Sequence, residues 1–215
     1  YQAGDSVTTG NRNILIGEFA GEAIDTGTDN VILGARAGRA IHDRSGAIMI
    51  GRGAGENAQS SGVVYIGENA GSEVTSDQYG YTVAIGHEAG EYGAEGLYNV
   101  LIGKDAGKGD SSNTTGCDNT VAVGAFAMED LTTGDNNTAV GYSAMVKVTT
   151  ASQSTAVGAY ALDAVTTSSG NTAFGYQAMS AATSALYNTA VGYQVNYSGV
   201  TTGAKYTMIG FRAGK

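Results

Sequence analysis

Proline and tryptophan are absent from this 215-residue chain, histidine occurs twice, and cysteine once, at Cys117. Each shortage excludes something. A single cysteine rules out an intrachain disulfide framework and leaves a free thiol or, in an oxidising setting, an intermolecular bridge. No apolar run approaches the ~20 residues that a membrane-crossing helix needs. The first residues lack the basic and apolar regions of a secretory signal. Charged residues make up only 14%, and Lys and Arg (11) are outnumbered by Asp and Glu (20), for a formal net charge of −9. Nucleic acids and anionic membranes attract the opposite balance, so neither is an expected partner. The charge is also uneven, with 22 of the 31 charged residues in 1–110. Such a distribution serves solubility.

What the chain has in quantity is glycine, 34 residues of it, and hydrophobic residues at 42% gathered in short clusters. Glycine costs about 1 kcal/mol against alanine inside a helix, so a helical protein is disfavoured. The clusters recur. Three mostly apolar residues, Gly, two variable residues and Ala form a unit seen in NILIGEFAG (13–21), NVILGARAG (30–38), NTAVGYSAM (137–145) and NTAFGYQAM (171–179). The anchoring glycines are Gly17, Gly34, Gly51, Gly67, Gly86, Gly103, Gly124, Gly141, Gly158, Gly175, Gly192 and Gly210, between 16 and 21 residues apart and most often 17. A fixed period of this length marks a stacked repeat architecture.

With each repeat glycine taken as position 0, the columns are regular. Position −1 is always Ile, Leu, Val or Phe. Position −3 is always β-branched, from Ile14 and Val31 to Thr189 and Thr207. β-branched residues favour strands, and residues two apart share a face. Position −2 between them is apolar as well (Leu15, Ile32, Met49, Ala122, Ala156, Ala190). Both faces of this strand therefore read as buried. The glycine marks a corner. Position +3 is Ala in every repeat but one, where Val195 replaces it. Asn13, Asn30, Asn99, Asn137, Asn171 and Asn188 recur at position −4 and read as a stacked structural ladder, and Ser, Thr, Asn, Asp and Gly fill the segments between repeats.

The expected fold is all-β, a parallel β-solenoid of 12 coils with about 17 residues per coil, spanning 1–215 as one continuous unit. At about 4.8 Å per coil the rod would be on the order of 55–60 Å long. Each coil has room for two short strands and two turns around an interior of Ala, Val and Ile. One apolar strand face is left to be covered by another copy of the chain, for which cyclic symmetry is the simplest arrangement. Two repeat subtypes are visible. The first six repeats end in Ala-Gly, and the seventh to tenth end in Ala-Met or Ala-Leu, with the change at the longest spacing, around residues 108–119. That segment reads as a bulging loop within one rod. The opening YQAG reads as the end of a repeat already under way, as in a piece of a longer fibre protein.

NTAVGYSAM (137–145), STAVGAYAL (154–162), NTAFGYQAM (171–179) and NTAVGYQVN (188–196) resemble the NTAVGYQA-type repeats of bacteriophage tail-fibre and tail-fibre-like proteins. Those are related in turn to the YadA-like head repeats of trimeric autotransporter adhesins. The resemblance covers essentially the whole chain. It implies a homotrimer of left-handed β-rolls and an extracellular place, on a virion tail fibre or a bacterial cell surface. It also implies attachment to a host-surface glycan or protein receptor. The 17-residue spacing, without a neck, heptad stalk or anchor, favours the tail-fibre group.

Chemistry-bearing residues are sparse. His42 and His87 occupy a turn and the variable position +1, and no Ser–His–Asp arrangement follows from spacing. GARAG (34–38) and GRGAG (51–55) lack the helix of a dinucleotide-binding turn, and GKDAGKGD (103–110) lacks the Lys-Ser/Thr ending of a phosphate loop. Acidic and Asn clusters at 110–119 and 135–137 match no calcium-loop pattern and read as turn chemistry. No catalytic residue, metal site or cofactor is expected, and the protein is not expected to be an enzyme. Tyr142, Tyr176 and Tyr193 share position +1 and should stack, either between protomers or as a binding surface. Receptor contacts are expected on the longer turns, at Asp77, Gln78, Tyr79 and Tyr81 and at Asp110, Asn113 and Asp118, because functional loops project from rigid scaffolds. The expected function is a trimeric attachment fibre; the alternatives are a purely structural shaft and an ice-binding solenoid. Ice binding is disfavoured because the Thr column from Thr138 to Thr207 pairs with an apolar column read as buried.

Overall fold

The computed structural model describes residues 1–75, 80–93, 96–111, 116–197 and 205–214. It is a parallel β-solenoid without an α-helix among those residues. Each repeat contributes one three-residue strand: β1 Ile14–Ile16, β2 Val31–Leu33, β3 Ile48–Ile50, β4 Val64–Ile66, β5 Val83–Ile85, β6 Val100–Ile102, β7 Val121–Val123, β8 Thr138–Val140, β9 Thr155–Val157, β10 Thr172–Phe174, β11 Thr189–Val191 and β12 Thr207–Ile209. They form a single twelve-stranded sheet in sequence order. Every pairing is parallel and in the same register, −3 on −3 and −1 on −1, as in Thr172↔Thr189 and Phe174↔Val191. Constant register follows from constant spacing: whatever the loop does, the strand returns to the same place one coil on.

The structure corrects the sequence reading in two respects. First, only one face of the strand is buried within the chain. Position −2 points inward and is buried from Ile32 through Ala190, whereas positions −3 and −1 face outward and are half-buried or exposed. The interior accordingly holds Ala with Met, Leu, Ile and some Val, and the Val, Ile and Thr of the two flanking columns lie outside it. The Thr column is therefore outward-facing, and burial is no longer a ground against ice binding. Second, among the described residues there is one strand per coil, not two, and the far side is made of turns. In the second coil Ala37 N–H donates to Gly34 carbonyl (3.2 Å), and Gly38 N–H donates across to Ala54 carbonyl of the next coil (2.9 Å). Turns thus stack through backbone hydrogen bonds as strands do.

Those turns need left-handed residues. Positions −5, 0, +2 and +4 have positive φ in all twelve coils. At position 0, φ is 129–139°, a region open in practice only to glycine. Space imposes the same choice. A Cβ on Gly141 would lie 2.7 Å from both the carbonyl carbon and the oxygen of Gly158 in the next coil.

Inside the rod, positions −2 and +4 share one volume. Where −2 is large, +4 is glycine: Leu15 with Gly21, Ile32 with Gly38, Met49 with Gly55, Tyr65 with Gly71, Leu101 with Gly107 and Met208 with Gly214. A Cβ on Gly107 would lie 2.6 Å from Leu101 Cδ2, and one on Gly71 2.7 Å from Tyr65 Cε2. Where −2 is alanine, +4 is large: Ala122 with Met128, Ala139 with Met145, Ala156 with Leu162 and Ala173 with Met179, all buried. The two repeat subtypes are two ways of filling the same space at the density a core requires. Two coils depart: coil 11 pairs Ala190 with the buried polar Asn196, and coil 5, with Ala84 and Gly90, lies next to Tyr65, the largest fully buried side chain. Position +3 and position +7 (Ile24, Ile41, Val74, Leu131, Val148, Val165) complete the apolar interior.

Two polar columns close the seams. At position −4, Asn137 Oδ1 accepts from Ser154 N–H (3.0 Å) and its Nδ2 donates to Ala151 carbonyl (2.6 Å). Asn30 and Asn171 repeat this with Ala47, Arg44, Asn188 and Ala185. At position −6, side-chain oxygens accept from the backbone of the preceding coil: Ser152 from Asp135 N–H (3.1 Å), Ser169 from Ser152 N–H (2.9 Å) and Asp135 from Asp118 N–H (2.9 Å). Buried backbone groups must be satisfied, and these columns do it where the chain turns away from the sheet.

Candidate interaction surfaces

The outward sheet face is the largest feature available for interaction. It presents two parallel columns along the whole rod: position −1, apolar in every coil, and position −3, Val or Ile in coils 1 to 7 and Thr in coils 8 to 12. Several members within the interior coils are exposed, among them Ile102 at 36%, Val140 at 37% and Phe174 at 53%. Contiguous exposed apolar surface of this kind marks an interaction site more often than a solvated face.

Beside it, the two halves of the rod differ. Coils 7 to 12 bear an aromatic ladder drawn from positions +1 and +2: Phe126, Tyr142, Tyr160, Tyr176, Tyr193 and Phe211, with neighbouring ring centroids 5.4–6.2 Å apart. The sequence-predicted stack of Tyr142, Tyr176 and Tyr193 forms part of it. Tyr142 and Tyr176 do not touch directly; Tyr160 bridges them from position +2. Contacts are edge-on up to Tyr176 and stacked beyond it. Both are favourable ring geometries. Coils 1 to 6 carry ion pairs between coils instead: Arg12 with Asp29, Arg39 with Glu22 (2.8 Å) and Glu56 (3.7 Å), Arg52 with Glu68, and Lys108 with Glu88 (2.5 Å). Most are exposed, and each adds little to stability.

The expected receptor contacts are not brought together. Asp77, Gln78, Tyr79 and Asn113 lie outside the described residues. Tyr81 stacks on Tyr98 (5.7 Å, 3° between planes) and lines a groove of about 460 Å³ with Asp43, Arg44 and Ser61. Asp110 lines a separate groove of about 590 Å³ with Tyr92, Lys108, Ser111, Asp130 and Thr149, where the spacing is longest. Asp118 belongs to the −6 column, its Oδ1 accepting from Leu97 N–H at 2.7 Å. Asp135 and Asn137, from the second acidic and Asn cluster, are likewise engaged with backbone.

The remaining chemistry is quiet. Cys117 is fully buried, and burial pushes its thiol up to about 12. This removes it as a partner for an intermolecular disulfide in the folded chain. His42 is exposed on a turn. His87 lies at position +1 between Glu88 and Asp105. The glycines of GARAG and GRGAG belong to the coil corners and to the left-handed +2 and +4 positions. Among the described residues no helix is long and apolar enough to cross a membrane. No family model matches the chain, and neither a curated protein nor a solved structure matches it.

Proposed function

We propose that this chain is a segment of a homotrimeric attachment fibre: three left-handed rolls joined along their outward sheet faces. In this reading the fibre belongs to a virion tail or a bacterial surface, acts outside the cell without catalysis, and binds a glycan or protein receptor on a host. One observation carries it: an uninterrupted apolar column, position −1, faces outward along the full length of the rod beside position −3, which is Val or Ile in coils 1 to 7 and Thr in coils 8 to 12, a face that a soluble single chain would not leave uncovered. The NTAVGYQA-like repeats supply the choice of three copies. Threefold repetition would multiply weak receptor contacts into avidity, and the irregular turns carrying Tyr81 and Asp110 are where those contacts would lie. The second reading, a shaft that only spaces a tip from a base, is supported by the uniformity of coils 8 to 11.

The test is sedimentation equilibrium on the 215-residue chain, followed by a glycan array. The reading requires a trimer at micromolar concentration and saturable binding to at least one glycan or surface protein. A trimer that binds nothing would leave the shaft. A stable monomer would end both. The outward Thr column adds one inexpensive control, an ice-growth assay, in which no thermal hysteresis is expected because Thr occupies position −3 in only five coils.

A further inference from the structure

We propose that coils 5 and 6 hold one divalent transition-metal ion of the zinc class, ligated by His87, Glu88 and Asp105. The site lies within a single chain and does not depend on the trimeric reading.

The residues are exceptional within their own columns. His87 is the one histidine at position +1, and Glu88 and Asp105, on consecutive coils, are the only acids at position +2. Stacking in register therefore brings an imidazole and two carboxylates to one spot, with one donor atom from each within 4.8 Å of the other two. A mixed nitrogen and oxygen set suits zinc and its neighbours rather than calcium or magnesium, which prefer oxygen alone.

The second observation is independent of this convergence. Asp105 is almost wholly enclosed, its side chain 5% exposed, and its Oδ1 has no hydrogen-bond partner. Buried carboxylate oxygens are rarely left so. That atom points at the imidazole, 3.9 Å from His87 Nδ1, and Glu88 Oε1 lies 3.6 Å from Nε2. The other oxygen of each carboxylate is already held, Asp105 Oδ2 by Lys104 and Glu88 Oε2 by Lys108. The lysines thus orient both carboxylates with their free oxygens toward the histidine, the role that outer partners play around metal ligands. They do not neutralise the neighbourhood. Two lysines serve three carboxylates there, because Lys108 also reaches Glu91 (3.5 Å) beside its pair with Glu88, and Lys104 pairs with Asp105. The surplus of negative charge favours a cation. Ligands on a zinc ion stand about 3.4 Å apart, so the three must close by about 1 Å. The two oxygens lie beside different ring nitrogens and one ion takes only one of them, so His87, with 44% of its side chain exposed, must turn to set one nitrogen between both carboxylates.

The experiment is zinc titration of the metal-free 215-residue chain against a fluorescent chelator, with thermal melting in parallel. One ion per chain is expected, with a micromolar dissociation constant and a higher melting temperature in zinc. His87→Ala, at an exposed position, should weaken binding at least tenfold, since losing a ligand costs no less than losing one of its outer partners, and abolish the thermal shift. His42→Ala should leave both unchanged. Glu88→Gln, also partly exposed, should act like His87→Ala without disturbing the far-ultraviolet circular dichroism. Absence of saturable binding would overturn the proposal, as would equal loss in the His42 and His87 variants or binding indifferent to both His87→Ala and Glu88→Gln.

Discussion

A single methyl group should have very different effects at two glycines of this rod. Gly46 has φ of 69° and nothing nearer its missing Cβ than Gly62 Cα at 3.9 Å. Gly46→Ala therefore meets only the left-handed penalty, about 1 kcal/mol. Gly141 has φ of 139° and backbone 2.7 Å from the same point, so Gly141→Ala must move a whole coil and should cost at least about 3 kcal/mol. Urea titration of the two variants, read by circular dichroism, measures the difference; equal midpoints would show that the corner tolerates side chains. Cys117 gives a second prediction at this scale. Its thiol is raised from 9.0 to about 12 by burial, so the folded chain should not react with a thiol reagent at pH 8 and the denatured chain should react with one equivalent. Because the folded state holds the proton more tightly, the associated stability is intact below pH 9 and declines as pH rises from 9 to about 12.

At the scale of the coil, the shared volume of positions −2 and +4 predicts a coupling. Ala139→Leu alone adds bulk beside Met145 and should cost about 1–3 kcal/mol. Met145→Gly alone opens a cavity and should cost about 2–4 kcal/mol, less whatever left-handed strain it relieves. Together they recreate the Leu101 and Gly107 arrangement of coil 6. The double variant should then be more stable than the sum of the single effects by about 1–3 kcal/mol, which a double-mutant cycle reads directly. Strict additivity would mean the two positions do not share space. The seam is tested separately by Asn137→Ala. It orphans Ser154 N–H and Ala151 carbonyl together, for an expected loss of about 2–4 kcal/mol.

The same columns explain what the sequence could and could not reveal. Period, strand position and register follow from the glycine spacing, because a repeated distance forces each strand onto its predecessor. Which strand face turns inward does not follow in coils 1 to 7, where −3, −2 and −1 are all apolar, and Thr at −3 in coils 8 to 12 is the one polar mark of the outward side. The size exchange between −2 and +4 was the available signal: Ala122 pairs with Met128 as Leu101 pairs with Gly107, and only interior positions need to conserve volume. The missing second strand was hidden for another reason. Positions −5 and +2 hold residues such as Tyr98, Glu88 and Gln177 in left-handed backbone, and such side chains give no hint of turn geometry. The His87, Glu88 and Asp105 cluster was invisible along the chain because Asp105 reaches its neighbours only through the stacking of one coil on the next.

At the scale of the whole molecule, a rod in which each coil touches only the coils beside it should behave as a sum of units and interfaces. This permits an operation that would destroy an ordinary domain. Deleting residues 137–153 removes 17 residues, one complete period, and joins Asn136 at position −5 to Ser154 at position −4. Every column then continues: Val123 stacks on Val157, Ala122 on Ala156, and Phe126 comes next to Tyr160 in the aromatic ladder. The shortened chain should keep its circular dichroism spectrum and lose only the contribution of one coil and one interface. Deleting residues 137–144 removes eight residues and no whole period. It places Met145 where an asparagine caps the seam, and it moves the following strand out of register with β7. That variant should lose cooperative unfolding across coils 7 to 9 and expose apolar surface to a hydrophobic dye. If both deletions proved equally damaging, stability would have to reside in long-range features of the rod rather than in contacts between adjacent coils.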